Sequence, residues 1–159
     1  MFHIVVLPFT LAVAYVLYAV AISTLMLRRL PSQSETSVIL GGAPFLWVVF
    51  IGPALEEAAF RIVPIGLILY YYPDISWMSK ALVVLVQSAL FGLLHRDVSL
   101  KYALVGQGTF GLLAGGVFVF LYKQSGFLVA SVAVIYLHAL TNLLCFSYYK
   151  AVLRFHSKS

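Results

Sequence analysis

The length of the uncharged stretches limits the fold more than any other feature of this chain. Ile4 to Leu27 carries no charge at all, and about 20 helical residues suffice to cross the hydrocarbon core of a bilayer. Trp77 to His95, Tyr102 to Tyr122 and Phe127 to Tyr149 repeat the pattern, with Lys80 as their only lysine, arginine or acid. Mean hydropathy is +1.04 and 9% of the 159 residues are charged, where a soluble domain of this size carries about 25%. Lipid offers no hydrogen-bonding partner to an open backbone, so apolar segments of this length are expected as helices. The fold class expected is therefore all-α, a polytopic transmembrane helix bundle of about five spans.

The second stretch differs from the others. Val38 to Tyr72 is apolar but broken by Gly41-Gly42, Pro44, Pro53 and Pro64, too long for one straight span and too short for two with a loop. It is expected to dip into the membrane near Gly41 to Pro44 and to continue as one helix kinked at Pro53 and Pro64. Leu30 to Ser37 is a polar linker, and Pro73-Asp74 ends the second helix. Nothing basic precedes the first apolar run, so it is expected to be a retained span in spite of a cleavage-like Ala19-Val20-Ala21. Gly111, Gly115 and Gly116 are expected to give the fourth span a smooth face for close helix contact. The organisation expected is a first helix with its linker over 1–37, a core over 38–149 and a basic tail over 150–159.

Charge orients the bundle. Five spans put Arg28, Arg29, Arg96, Lys101, Lys150, Arg154 and Lys158 on one side and only Lys80 and Lys123 on the other. The positive-inside rule makes the first side, with the C-terminus, cytoplasmic; six spans would leave the two sides nearly balanced. The formal net charge of +5 is spread over segment ends without a block, which excludes a nucleic-acid partner and suits membrane lipid. The single cysteine, Cys145, permits no intrachain disulfide and no thiolate metal cluster.

Inside the second stretch stand Glu56, Glu57 and Arg61. An ionised side chain near the bilayer midplane costs about 2.5–3.5 kcal/mol on insertion scales, so a triplet of them needs a reason. On a helix Glu57 and Arg61 are four apart with the acid first, the favourable order for an ion pair. Glu56 points about 100° away and is left to face something else. A polar clamp between helices would account for the pair but not for the unmatched acid.

Three further groups stand out on other spans. His95 ends the third, one turn after Phe91; His138 lies in the fifth, one turn before Asn142. A single histidine in such a helix is as readily an interhelical hydrogen bond. Two histidines, an amide and an unpaired acid are the components of a hydrolytic site: a base to activate water, a donor for the leaving amine, and donors for an oxyanion. Glu56, His95 and His138 could equally be three zinc ligands with an open fourth position. Ser88 and Ser131 each lie two turns from a histidine without a nucleophile elbow, and are expected to be packing residues.

Glu56-Glu57-xxx-Arg61, Phe91-xxx-His95 and His138-xxx-Asn142, in that order on separate spans, resemble the three motifs of the CPBP or Abi family, intramembrane proteases of the CAAX-protease and bacteriocin-processing type. The likeness runs from about Pro44 to Asn142. It implies that Glu56 and His95 activate the attacking water, that His138 and Asn142 stabilise the oxyanion, that Glu57 and Arg61 support them, and that Phe91 packs beside His95. The family has been described both as metal-dependent and as glutamate-dependent, so the expectation is no cofactor, with zinc as the alternative. The chain is shorter than the eukaryotic Ras-converting endopeptidases, which points to a prokaryotic cell membrane. Expected substrates are leader peptides, sorting tails or bacteriocin-related chains rather than prenylated ones. The partner expected is a peptide or protein with a membrane-associated segment. The rival readings are a non-catalytic bacteriocin-immunity or binding protein, which keeps the fold without the chemistry, and a proton-coupled transporter, against which the two halves share no repeat.

Overall fold

The computed structural model describes residues 2–27, 44–95 and 100–156. They form a bundle of five helices, and no strand is present among the described residues. Helix α1 is Phe2–Leu27, α2 covers 47–71, α3 is Trp77–Leu94, α4 covers 100–125 and α5 is Phe127–His156. Four of them, α1, α3, α4 and α5, are long and apolar enough to cross a membrane.

The bundle is inside out relative to a soluble protein. Glu57 and Arg61 are fully buried, whereas Met78 and Leu128 are largely exposed. That is the arrangement expected when the outer solvent is hydrocarbon and polar groups must find partners within. Helix α4 takes the centre, packed against α3 on one side and α5 on the other, while α1 lies along α5. The approach of α3 to α4 depends on glycine. A Cβ on Gly111 would stand 2.9 Å from Ser88 Cα, and one on Gly115 would stand 2.8 Å from a Val84 methyl. Gly116 does not belong to that face. It has nothing within 4 Å of a built Cβ, because it is one residue, or about 100°, further round the helix.

The prolines of α2 leave a specific mark. Each is preceded by a wide turn of π-helix, Trp47–Ile51 before Pro53 and Ala58–Ile62 before Pro64. Proline has no N–H and its ring crowds the carbonyl four residues back. The helix accommodates this by reaching one residue further: Gly52 N–H donates to Trp47 O and Val63 N–H to Ala58 O. Pro44 O accepts from Trp47 and Val48 N–H at the start. The expected dip over Gly41 and Gly42, and Arg28, Arg29 and Arg96 of the charge count, lie outside the described residues.

Ser76 caps α3, its hydroxyl accepting from Ser79 N–H at 3.1 Å. Helix α4 runs past the expected end at Tyr122 to Ser125, so the turn into α5 shrinks to Gly126, whose φ of +85° suits glycine. Helix α5 continues through Lys150 and Arg154 to His156, and the basic residues expected of a tail sit there on its last turns. Ser88 and Ser131 donate back to Val84 O and Phe127 O on their own helices, as packing serines do.

Candidate active site

Each residue marked in the sequence arrives from a different helix. Glu56 and Glu57 sit between the two π-turns of α2, His95 caps the end of α3, and His138 and Asn142 lie one turn apart on α5. A cavity of about 190 Å³ brings Glu56, His95, His138 and Asn142 onto one surface.

Behind that cavity the polar groups are sealed. Arg61 Nη1 donates to Glu57 Oε1, the ion pair expected from their spacing. The same oxygen also accepts from His138 Nδ1 at 2.8 Å, a contact between residues 81 apart that no helical spacing could reveal. The guanidinium lies over the Phe91 ring, 4.3 Å from its centre. Phe91 thus stands between Arg61 and the imidazoles, its ring 4.4 Å from that of His95 and 6.0 Å from that of His138. Phe110 of α4 completes the wall at 4.7 Å from the His138 ring. A dry aromatic collar of this kind strengthens every electrostatic contact inside it.

On the cavity side the distances open. Glu56 Oε2 is 3.5 Å from His95 Nε2 and 3.7 Å from His138 Nε2. Both imidazoles are oriented from their far nitrogens: His95 Nδ1–H donates to Phe91 O at 2.8 Å, and His138 Nδ1–H to Glu57. Their Nε2 atoms are therefore the ones presented to Glu56. Asn142 is held likewise, one Nδ2–H donating to Val48 O at 2.8 Å in the first π-turn. Its second N–H remains available.

Other residues of the cavity had no signature in the sequence. Tyr15 of α1 lines it, and its hydroxyl donates to Gly106 O at 3.2 Å. Tyr18 donates to Val105 O at 2.9 Å. Both carbonyls belong to a third π-turn, Ala103–Gln107 of α4, which carries Gln107 into the cavity wall. Gln107, a carboxamide within an apolar span, could have been marked on that ground. The tyrosines could not, because aromatic residues on a lipid-spanning helix carry no such signal.

A family model described as type II CAAX prenyl endopeptidase Rce1-like matches residues 39–144, two thirds of the chain and all three motifs. The chain belongs to the Rce1-like family. No curated protein and no solved structure matches it. As a member of this family it is an integral membrane protein of CAAX-type intramembrane protease class, associated with membrane and with peptide or protein substrates. The Rce1-like match begins after α1 and ends within α5, so the tyrosine braces of α1 lie outside it. As for zinc, Glu56, His95 and His138 have the right donor chemistry. As placed, they do not form a group that could hold a metal ion, and no other such group occurs among the described residues.

Proposed function

We propose that the protein is an intramembrane endopeptidase in which Glu56 activates water to cut a peptide bond of a membrane-associated peptide or protein tail. The observation that carries this reading is the state of Glu56 Oε2. It is buried and without a hydrogen-bond partner, yet two imidazole nitrogens face it from 3.5 and 3.7 Å. A carboxylate oxygen and the lone pair of a neutral imidazole are both acceptors, so they need something between them that donates. One water above these three atoms supplies two O–H donors and leaves its own lone pair for attack.

In the proposed reaction the water oxygen adds to the scissile carbonyl carbon and its proton passes to Glu56, with His95 polarising the water from its other side. The carbonyl oxygen takes up negative charge. His138 Nε2–H, its charge supported by Glu57 through Nδ1, and the second N–H of Asn142 stabilise that oxyanion. When the carbon–nitrogen bond breaks, the proton held by Glu56 goes to the leaving amine. Charge balance supports the scheme: two acids face a single arginine, so one proton shared among Glu56 and the histidines makes the buried cluster neutral.

His95 lies at the end of α3 that leads to Arg96 and Lys101, so the cut falls near the cytoplasmic face if the basic side is inside. No step requires a metal, and activity is expected to survive strong chelation. Loss on chelation that zinc restores would instead assign Glu56, His95 and His138 as ligands. The substrate is to be found by comparing peptide termini in cells with and without the gene, and cleavage then measured for purified protein and Glu56→Gln. Glu56-dependent cleavage is expected. Full biological activity retained by Glu56→Gln would make the protein a binding module rather than a protease.

A further inference from the structure

At the end of the bundle opposite the candidate active site lies a second cavity, of about 250 Å³. It forms where α2 ends, α3 begins and α4 ends, and among its walls are Leu69, Trp77, Lys80, Val119, Tyr122 and Lys123. It shares no residue with the first cavity.

Its charge is unusual for this molecule. Lys80 and Lys123 are the two cations assigned to this side of the bundle, and both line the one cavity. Their ammonium groups lie 5.6 and 5.9 Å from the centre of the same Trp77 ring. Neither takes part in an ion pair among the described residues. Two like charges gathered on one indole repel each other, and the ring's quadrupole offsets that only in part. An anion between them removes the conflict. Tyr122 adds a hydroxyl to the same wall, a donor suited to an acceptor oxygen.

The rest of the cavity says what carries the anion. Leu69 and Val119 are buried apolar residues, on the part of the wall that belongs to the span interiors of α2 and α4. Tyr70, Tyr71 and Tyr72 are exposed beside it and, with Trp77, make the aromatic belt of a membrane–water interface. A small soluble anion would have no use for the apolar part, and a neutral lipid none for the lysines. We infer that this cavity binds the phosphate of an anionic phospholipid between Lys80 and Lys123, with the glycerol and first acyl carbons against Leu69 and Val119. The inference is independent of the proteolytic reading, because no residue of the first cavity enters it.

Trp77 provides a local readout. In protein carrying Trp47→Phe, Trp77 is the single tryptophan, and phospholipids brominated on the acyl chains quench it on contact. Brominated phosphatidylglycerol is expected to quench at about tenfold lower mole fraction than brominated phosphatidylcholine. Lys80→Gln with Lys123→Gln is expected to abolish that preference, while Lys150→Gln with Arg154→Gln at the other end keeps it. Equal quenching by the two lipids, a preference that survives the loss of both lysines, or displacement of phosphatidylglycerol by inorganic phosphate alone would each overturn the assignment. Should the double variant fail to fold, the single variants Lys80→Gln and Lys123→Gln serve, each expected to lose part of the preference, and no loss in either would count against it.

Discussion

Helix α2 carries two adjacent carboxylates that live in different worlds. Glu57 faces the protein interior, fully buried, with one oxygen shared by Arg61 and His138. Glu56, one residue earlier, has its side chain 35% exposed and an oxygen that nothing in the chain satisfies. The backbone between them is ordinary right-handed helix. What separates them is about 100° of rotation, which in a bundle decides between the packed side and the wet side. A pair of identical residues thus divides into one that holds and one that reacts.

The comparison breaks most directly at the reactive acid. Glu56→Gln keeps the shape and removes the base, so cleavage is expected to fall by about 10⁴-fold, the upper range for general-base catalysis. The melting temperature in detergent should stay within a few degrees, because no ion pair is lost. A large drop in melting temperature would show that Glu56 is holding the fold after all.

The holding acid should respond in the opposite sense. Arg61→Met leaves Glu57 buried without its cation, which costs about 3–5 kcal/mol for a buried pair broken on one side. Denaturant unfolding in mixed micelles should report it. Adding Glu57→Gln to Arg61→Met is expected to recover much of the loss while cleavage stays low, since His138 then lacks an anionic partner. A double variant no more stable than Arg61→Met would mean that the ion pair does not dominate this face.

Asn142 tests whether the wet side extends to α5. Asn142→Leu removes the proposed oxyanion donor and the bond to Val48 O, and a fall in kcat of about 10²–10³ is expected, with KM little changed. A change confined to KM would make Asn142 a substrate-holding residue instead.

How much of this was legible beforehand follows from the range of each interaction. The helices were readable because lipid permits little else, and the Glu57–Arg61 pair because both partners lie on one helix. Gly111 and Gly115 were readable by their spacing, although Gly116 was grouped with them in error. The bond from His138 to Glu57 was not, since it depends on how two helices are rotated about their axes. Nor were the π-turns, since a proline announces a disturbance without saying how the backbone absorbs it. The zinc alternative was legible as a donor list and could be weighed only with the three side chains in space.

The smallest effect concerns α1, which lies before the matched family region. Tyr18 donates to Val105 O in the π-turn that carries Gln107, and Tyr15 does the same for Gly106. A π-turn leaves carbonyls poorly matched to the helical ladder, and phenolic donors from a neighbouring helix satisfy them. Tyr18→Phe removes one such bond without changing shape, so about 1 kcal/mol of stability is expected to go. Cleavage should fall only a few-fold, through KM, as the cavity wall at Gln107 loosens while Glu56, His95 and His138 keep their partners. Had α1 been a mere anchor, Tyr18→Phe would leave KM untouched, and measuring KM in that variant separates the two.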